Sequence, residues 1–160
     1  MADIDNDGDR DILVAILRDV WPTDSRHGQV VVLINDGKFS FHSKILADDL
    51  RRVTDVQPAD LDGDGDMDVV LASMFNDWKT PGTTSLAWLE NDGRQQFDAW
   101  HIAAAPTYLA TVACGDLNDD GRADIVAGSL QIFPPFDSAP AGVSIWLNQF
   151  SADRSSAEVP

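Results

Sequence analysis

The stretch that decides the fold is Asp60-Leu61-Asp62-Gly63-Asp64-Gly65-Asp66-Met67-Asp68, and the apolar residues 69–72 follow it at once. Carboxylates stand at positions 1, 3, 5 and 9 of this loop, and a glycine stands at position 6. Glycine takes the positive φ of a tight turn without steric cost, so the loop can fold several oxygens inward around one ion. Hard oxygen ligands in this number suit calcium, which binds about 6–8 oxygens. For a single match, a bare acidic turn on a solvated surface would be the alternative.

The same loop occurs three times in the chain. Residues 3–11 read DIDNDGDRD, and residues 116–124 read DLNDDGRAD. The first loop positions, Asp3, Asp60 and Asp116, are 57 and 56 residues apart. Each loop precedes a short apolar run rich in Val, Ile and Leu, which is typical of a β-strand. This repetition favours an ion-binding unit over a bare surface turn.

An EF-hand begins with the same D-x-D-x-D-G sequence, but it places a bidentate acid at loop position 12 between two helices. In this chain position 12 is Val14, Leu71 and Ala127 in the three loops, and each lies within an apolar strand run. The EF-hand is therefore excluded, and the related dockerin module is excluded with it.

The pattern D-x-[DN]-x-D-G-x-x-D, followed by an apolar strand and repeated at this period, resembles the FG-GAP/VCBS repeat, a calcium-binding blade of integrin-α-like β-propellers. The resemblance covers nearly all of residues 1–150, although the Phe-Gly and Gly-Ala-Pro elements that name the family are absent. It implies up to three Ca²⁺ ions, each bound by the side chains at positions 1, 3, 5 and 9 and by the backbone carbonyl at position 7. The implied ligands are Asp3, Asp5, Asp7, Asp11 and the carbonyl of Asp9; Asp60, Asp62, Asp64, Asp68 and the carbonyl of Asp66; and Asp116, Asn118, Asp120, Asp124 and the carbonyl of Arg122.

The three sites are not expected to bind calcium equally. Asn118 replaces one carboxylate of the third site, and ligand charge tunes calcium affinity, so we expect this site to bind more weakly than the second. The first site is also expected to be weaker than the second, because no strand leads into it.

The spacing after each loop predicts one repeated supersecondary unit. Asn35, Asn91 and Asn148 lie 24, 23 and 24 residues after the last acid of the preceding loop. The sequence Asn-Asp-Gly at 35–37 and 91–93 strongly favours a β-hairpin turn. We predict an all-β chain of four-stranded antiparallel propeller blades, about two and a half in number. The predicted units lie near 1–58, 59–114 and 115–150, with a disordered tail at 151–160. The predicted strands are 12–17, 30–34, 39–46, 53–57, 69–73, 86–90, 97–102, 110–114, 125–129 and 143–147; residues 48–52 could form a helical turn, but one too short to matter.

A propeller closes with about 4–8 blades, which this chain does not supply. We therefore expect a fragment, or a partial set of repeats completed by the remaining blades or by self-association. The net charge is −16, and 14 of the 27 acidic residues lie in the three loops. No basic patch is present to neutralise phosphates, which argues against nucleic acid as a partner. No apolar run has the length of a membrane span.

The function implied is a calcium-stabilised binding or adhesion scaffold for a protein or carbohydrate, in an extracellular, periplasmic or cell-surface setting. The alternative is a non-catalytic propeller portion of a larger secreted enzyme, such as a polysaccharide-degrading one. No catalytic motif is present, so we expect no enzymatic activity. Trp21 and Trp78 each stand ten residues after the last loop acid. They are candidates for a ligand-stacking platform, or else they pack between blades. A structural role for calcium is favoured, with a regulatory switch as the alternative.

Overall fold

A computed structural model of the chain describes residues 1–17, 28–38, 40–50, 52–74, 76, 81–130 and 142–149. Within these residues the regular structure consists of ten β-strands and contains no helix, which confirms the all-β prediction. The strands are β1 (Ile12–Ile16), β2 (Gly28–Asn35), β3 (Phe41–Leu50), β4 (Val53–Ala59), β5 (Asp68–Ser73), β6 (Leu86–Asn91), β7 (Phe97–Ala103), β8 (Leu109–Gly115), β9 (Asp124–Ser129) and β10 (Val143–Trp146). The predicted tail at 151–160 lies outside the described residues. The described part of the chain holds no helix that is long and apolar enough to cross a membrane.

The strands form three antiparallel sheets, each made of strands that are consecutive in the chain. The first sheet is β1–β2–β3, the second is β4–β5–β6–β7, and the third, in chain order, is β8–β9–β10. The second sheet is a complete four-stranded blade. By repeat position, the first sheet corresponds to the last three strands of that blade, and the third sheet to its first three. The prediction of partial propeller blades is thus confirmed.

Each acidic loop belongs to one sheet, and its last acid lies at or directly before the start of the next strand. The second loop connects β4 to β5, and the pair Ala59↔Asp68 closes the hairpin. The first loop closes in the same way through the bridge Ala2↔Asp11, in which the N–H of Asp11 donates to the carbonyl of Ala2 at 2.8 Å. The second and third sheets therefore start one strand before their loops, at β4 and β8, whereas the predicted repeat units near 59–114 and 115–150 are counted from the loops themselves.

The predicted strand 39–46 is longer than expected and replaces any helical turn in the described residues 48–50, because β3 continues to Leu50 and pairs there with Gly28. Five residues are too few to form a stable helix alone, so pairing with β2 decides the conformation. Gly28 permits this close approach, since a Cβ at that position would lie 2.8 Å from the carbonyl oxygen of Leu50. The other predicted strands are present, and most differ from the prediction by one or two residues at their ends.

The core lies between the sheets, and the second sheet is covered on both faces. One face, with Val70 and Leu86, packs against residues of the third sheet such as Leu109. The opposite face, with Val69 and Leu71, packs against the first sheet. Every residue of β5 is buried for this reason, which explains why residues 69–72 of the strand are continuously apolar rather than alternating. Full burial of each Val or Leu contributes about 1.5–3 kcal/mol.

Candidate metal centre

The three acidic loops close through the same local hydrogen bond. In each, the carboxylate at position 1 accepts a hydrogen bond from the backbone N–H of the glycine at position 6. The donor–acceptor distances are 2.9 Å for Gly8–Asp3, 3.1 Å for Gly65–Asp60 and 2.8 Å for Gly121–Asp116. All three glycines have positive φ, from 83° to 96°, a region that side-chain-bearing residues avoid. The D-x-x-x-x-G spacing therefore closes each loop on its own first carboxylate.

The carboxylate at position 9 joins each loop to the next hairpin, and it is fully buried in all three repeats. In the second repeat, Asp68 Oδ2 accepts a hydrogen bond from the N–H of Leu61 at 3.0 Å, and Oδ1 accepts one from the N–H of Asn91 at 2.8 Å. The side-chain amide of Asn91 returns a hydrogen bond to the carbonyl of Met67 at 3.2 Å. We call this arrangement the Asp–Asn bridge.

The Asp–Asn bridge recurs in the other two repeats with the same donors and acceptors. In the first repeat it joins Asp11 to Asn35, and in the third it joins Asp124 to Asn148. The side-chain amides of both asparagines again donate to the carbonyl of the residue before the aspartate. The near-constant spacing between acid and asparagine was the sequence signal for this contact. From the sequence alone, that spacing predicts a repeat period and not the hydrogen bonds that it reflects.

Two of the loops bring three carboxylates together. Oxygens of Asp3, Asp5 and Asp11 lie within 4.8 Å of one another, and so do oxygens of Asp60, Asp62 and Asp68. Each group combines positions 1, 3 and 9, which sequence analysis predicted as ligands.

The carboxylates at position 5, Asp7 and Asp64, lie outside these two groups. The Oδ1 atom of each accepts a hydrogen bond at 2.9 Å from the backbone N–H at position 7, the residue that was predicted to supply a carbonyl. The ligand roles of positions 5 and 7 stay predictions.

Electrostatics within the two carboxylate groups favour a bound cation. Burial raises the pKa of Asp5, and the negative charges of Asp7 and Asp11 raise it further. Burial likewise raises the pKa of Asp62, with a smaller effect of Asp64. The pKa of Asp68 rises to about 6 because burial outweighs its two hydrogen bonds from backbone N–H groups.

One oxygen of the first group also lacks a partner. Oδ1 of Asp5 is buried and has no hydrogen-bond partner among the described residues. Buried polar atoms are normally satisfied, so an atom of this kind marks a place for an ion or a water. The hard oxygen donors, their crowding and this unsatisfied atom together fit a calcium ion.

The third loop is built differently, and no group of three carboxylates comparable to the first two occurs among its described residues. Asn118 stands at position 3, and its Nδ2 atom donates to Oδ2 of Asp120 at 3.0 Å. Arg122 stands at position 7, and its Nη2 atom lies 2.6 Å from the same oxygen. The Nε atom of Arg122 donates to the carbonyl of Asn148 at 3.0 Å.

Loops of neighbouring sheets also contact one another. The side-chain amide of Asn6, in the first loop, donates to Oδ1 of Asp66 in the second loop at 2.7 Å. The side-chain amide of Asn148 donates to the carbonyl of Leu61, again in the second loop, at 2.7 Å. The loops are thus linked from sheet to sheet along one end of the array.

The predicted stacking platform of Trp21 and Trp78 is not tested by the structure, because neither residue is among the described residues. Three other tryptophans are described. Trp88 and Trp146 pack partly buried against the cluster between the second and third sheets, where they line an apolar cavity of about 450 Å³. Trp100 is half exposed, and its Nε1 atom donates to Oε2 of Glu90 at 2.6 Å.

Comparison with known proteins gives one family. The model of the FG-GAP-like repeat matches the chain twice, at residues 3–71 and 72–127, which together cover most of its length. Comparisons with curated proteins and with solved structures found no significant match.

Proposed function

This chain belongs to the FG-GAP-like repeat family, and we propose that calcium ions in its acidic loops hold its β-propeller blades in register as a non-catalytic binding scaffold. The observation that carries the proposal is the pair of three-carboxylate groups, each with oxygens within 4.8 Å of one another. In both groups the position-9 carboxylate also forms the Asp–Asn bridge. An ion at these groups would therefore be tied directly to the hairpin of the same blade.

The role proposed for calcium is structural. Two unit charges about 4 Å apart repel by about 4 kcal/mol at the effective dielectric constant of a protein surface. Three carboxylates in one group therefore oppose closure of the loop, and a divalent cation converts this repulsion into attraction. An ion that binds only the folded chain stabilises it by about 2.7 kcal/mol when its free concentration is 100 times Kd. Carboxylates held on a cation are poor proton donors, which supports the inference that the segment is not itself catalytic.

Calorimetric titration of the chain with CaCl₂, after treatment with EDTA and dialysis, tests the proposal. We expect binding at the first and second loops, with a higher thermal unfolding temperature in calcium than in EDTA. Asp62→Asn removes one charge from the second group and should weaken one of these sites. Asp98→Asn is the matched control, because Asp98 is exposed in β7 and lies outside the loops. Absence of calcium binding at millimolar concentration would refute the proposal.

We further propose that the outer face of the third sheet binds another sheet of the same repeat. Counting back from the bridge asparagines, Val30, Leu86 and Val143 occupy one repeat position. Val30 and Leu86 are fully buried, Leu86 against the third sheet, whereas Val143 is 73% exposed. Ile145 and Leu147 are also more than half exposed, although the equivalent Val32 and Ile34 of the first sheet are buried.

The outer face of the third sheet therefore continues the two sheet–sheet interfaces that already exist within the chain. Its occupant should be a sheet with the same apolar chemistry, because these positions are apolar in each repeat apart from Glu90 of the second. Exposed apolar faces of this kind mark interaction sites.

Sedimentation velocity over a range of chain concentrations tests this face. The chain should self-associate as its concentration rises, and Ile145→Asp should abolish the association. Ala99→Asp places the same charge at an exposed position of β7 and should leave association unchanged. A chain that stays monomeric at all concentrations, or that associates equally well with Ile145→Asp, would contradict this assignment.

The ligand of the scaffold is proposed as a protein or a carbohydrate in an extracellular or cell-surface setting, which is usual for this family. Trp21 and Trp78 remain the proposed stacking residues. A glycan array probed with the chain and with its Trp21→Ala and Trp78→Ala variants tests their role. Binding that neither substitution weakens would exclude the platform and leave packing between blades as the role of these residues.

A further inference from the structure

We propose that the guanidinium of Arg122 takes the place of a calcium ion in the third acidic loop, so that this loop closes without a divalent cation. The inference rests on the proposed calcium binding by the first two loops and separates the third loop from them. Its basis is the set of contacts that Arg122 makes, together with the residues found at the equivalent position of the other repeats.

Position 7 of the loop carries opposite charges in the three repeats. It is Asp9 in the first loop, Asp66 in the second and Arg122 in the third. The carboxylate of Asp66 accepts a hydrogen bond from the amide of Asn6, so in that loop this side chain adds a negative charge. The change to arginine brings a permanent positive charge to a loop that still closes through the hydrogen bond from its position-6 glycine to its position-1 carboxylate.

Arg122 links the same two elements that the Asp–Asn bridge links. Its Nη2 atom lies 2.6 Å from Oδ2 of Asp120, at position 5 of the loop, and its Nε atom donates to the backbone carbonyl of Asn148 at 3.0 Å. A guanidinium offers several N–H donors in a fixed planar arrangement, so one side chain can hold an acid and a carbonyl at once. Arg122 thus ties the loop to the strand end that carries the asparagine of the bridge.

Asp120 is contacted by three donors from the loop itself. Its Oδ1 atom accepts a hydrogen bond from the backbone N–H of Arg122 at 3.0 Å, and its Oδ2 atom accepts one from the side-chain amide of Asn118 in addition to the guanidinium. Asn118 stands where the other loops have Asp5 and Asp62. Two changes of sequence therefore converge on one carboxylate and neutralise it from inside the loop.

The charge of the third loop is lowered by the same changes. The first and second loops each contain five carboxylates and no cationic side chain other than Arg10, whereas the third contains four carboxylates and Arg122. Arg10 stands at position 8 of the first loop, and the group Asp3, Asp5 and Asp11 forms in its presence. Calcium affinity follows the charge of the ligand set, so the third loop should bind calcium at least tenfold more weakly than the second.

Calorimetric titration of the full chain with CaCl₂ tests the assignment. The chain should bind two calcium ions, and the double variant Asn118→Asp with Arg122→Asp, which recreates the acids of the second loop, should bind three. Arg94→Asp is the control for reversal of an arginine charge, since Arg94 is exposed outside the loops, and it should still bind two. Three ions of similar affinity in the unaltered chain would overturn the inference and leave the proposed function intact. No ion at all would overturn both, since the guanidinium would then replace nothing.

A second measurement monitors the hydrogen bonding of the Arg122 guanidinium directly in the unaltered chain, so it does not depend on the folding of a variant. In EDTA, the NMR signal of the Arg122 Nε–H should show slow exchange with solvent, because this group is hydrogen bonded to Asn148. Its chemical shift and exchange rate should stay unchanged on addition of two equivalents of calcium. Displacement of the signal by calcium, or a folded double variant that binds only two ions, would overturn the inference.

Discussion

Substitution of Asn91 by alanine should separate the structural role of the Asp–Asn bridge from calcium binding. Asn91 is 1% exposed, and its side chain makes two hydrogen bonds, one to the carbonyl of Met67 at 3.2 Å and one from the N–H of Gly93 at 3.2 Å. Its backbone N–H, which holds Asp68 at 2.8 Å, is retained in Asn91→Ala. The variant therefore loses the side-chain half of the bridge and keeps the carboxylate in place.

The expected loss of stability follows from these two hydrogen bonds. Each contributes about 0.5–1.5 kcal/mol net, so Asn91→Ala should lower the free energy of unfolding by about 1–3 kcal/mol. For a chain of this length, such a loss corresponds to a decrease in Tm of roughly 3–10 °C. The loss should appear both in EDTA and in saturating calcium, while Kd for calcium changes less than threefold.

Urea unfolding followed by tryptophan fluorescence, combined with calorimetric titration of calcium, measures both quantities. Asp62→Asn is the complementary variant, since it removes a charge from the carboxylate group; it should weaken calcium binding and, because it relieves repulsion within the group, should not lower stability in EDTA. Gln96→Ala, at an exposed position of the turn after β6, is the control for substitution near the hairpin. The reasoning would be refuted if Asn91→Ala left stability within 0.3 kcal/mol in both conditions, or weakened calcium binding as strongly as Asp62→Asn.

Two further predictions concern pH and packing. The pKa of Asp68 is raised from 3.8 to about 6, so the ion-free protein should lose up to about 3 kcal/mol of stability as the pH rises from about 4 to about 6. The pKa values of Asp92 and Asp120 are lowered, so these residues change the free energy of unfolding only below the pH range of about 4 to 6. Urea unfolding in EDTA from pH 4 to 7 measures the slope, which calcium should reverse; a flat profile in EDTA would contradict the pKa shift. At concentrations at which the chain is monomeric, Leu86→Ala should destabilise it by about 2–5 kcal/mol, and Val143→Ala, at the equivalent repeat position, by less than about 0.5 kcal/mol, because only Leu86 is buried within the chain. Equal losses for the two variants in chemical denaturation would show that the outer face of the third sheet is covered.

The acidic loops show which structural features can be predicted from a short stretch of sequence. Closure of each loop depends on a carboxylate and a glycine five residues apart, and such short-range geometry can be predicted from spacing alone. The apolar runs after the loops predicted strands correctly for the same reason. Residues 47–50 show the limit, since the local pattern predicts a strand that ends at residue 46, whereas pairing of Leu50 with Gly28 extends the strand.

The roles of single acids were less accessible to sequence analysis. All position-9 aspartates were predicted as ligands, but their hydrogen bonds to residues 23 or 24 positions away in the chain appear only when the hairpin is folded. Arg122 was assigned a role through its backbone carbonyl, while its side chain proved to contact Asp120 and Asn148. A contact between residues distant in the chain depends on the path of the strands between them.

The sequence by itself determined that the protein is a β-repeat with oxygen-lined loops, because the loop spacing and the strand pattern are local properties of the chain. The tertiary structure alone decided that β4 shares a sheet with β5, β6 and β7, and that Leu86 is buried while its counterpart Val143 is exposed. Equivalent residues in a repeat carry the same local information. Their environments differ because burial is set by whichever sheet packs against them.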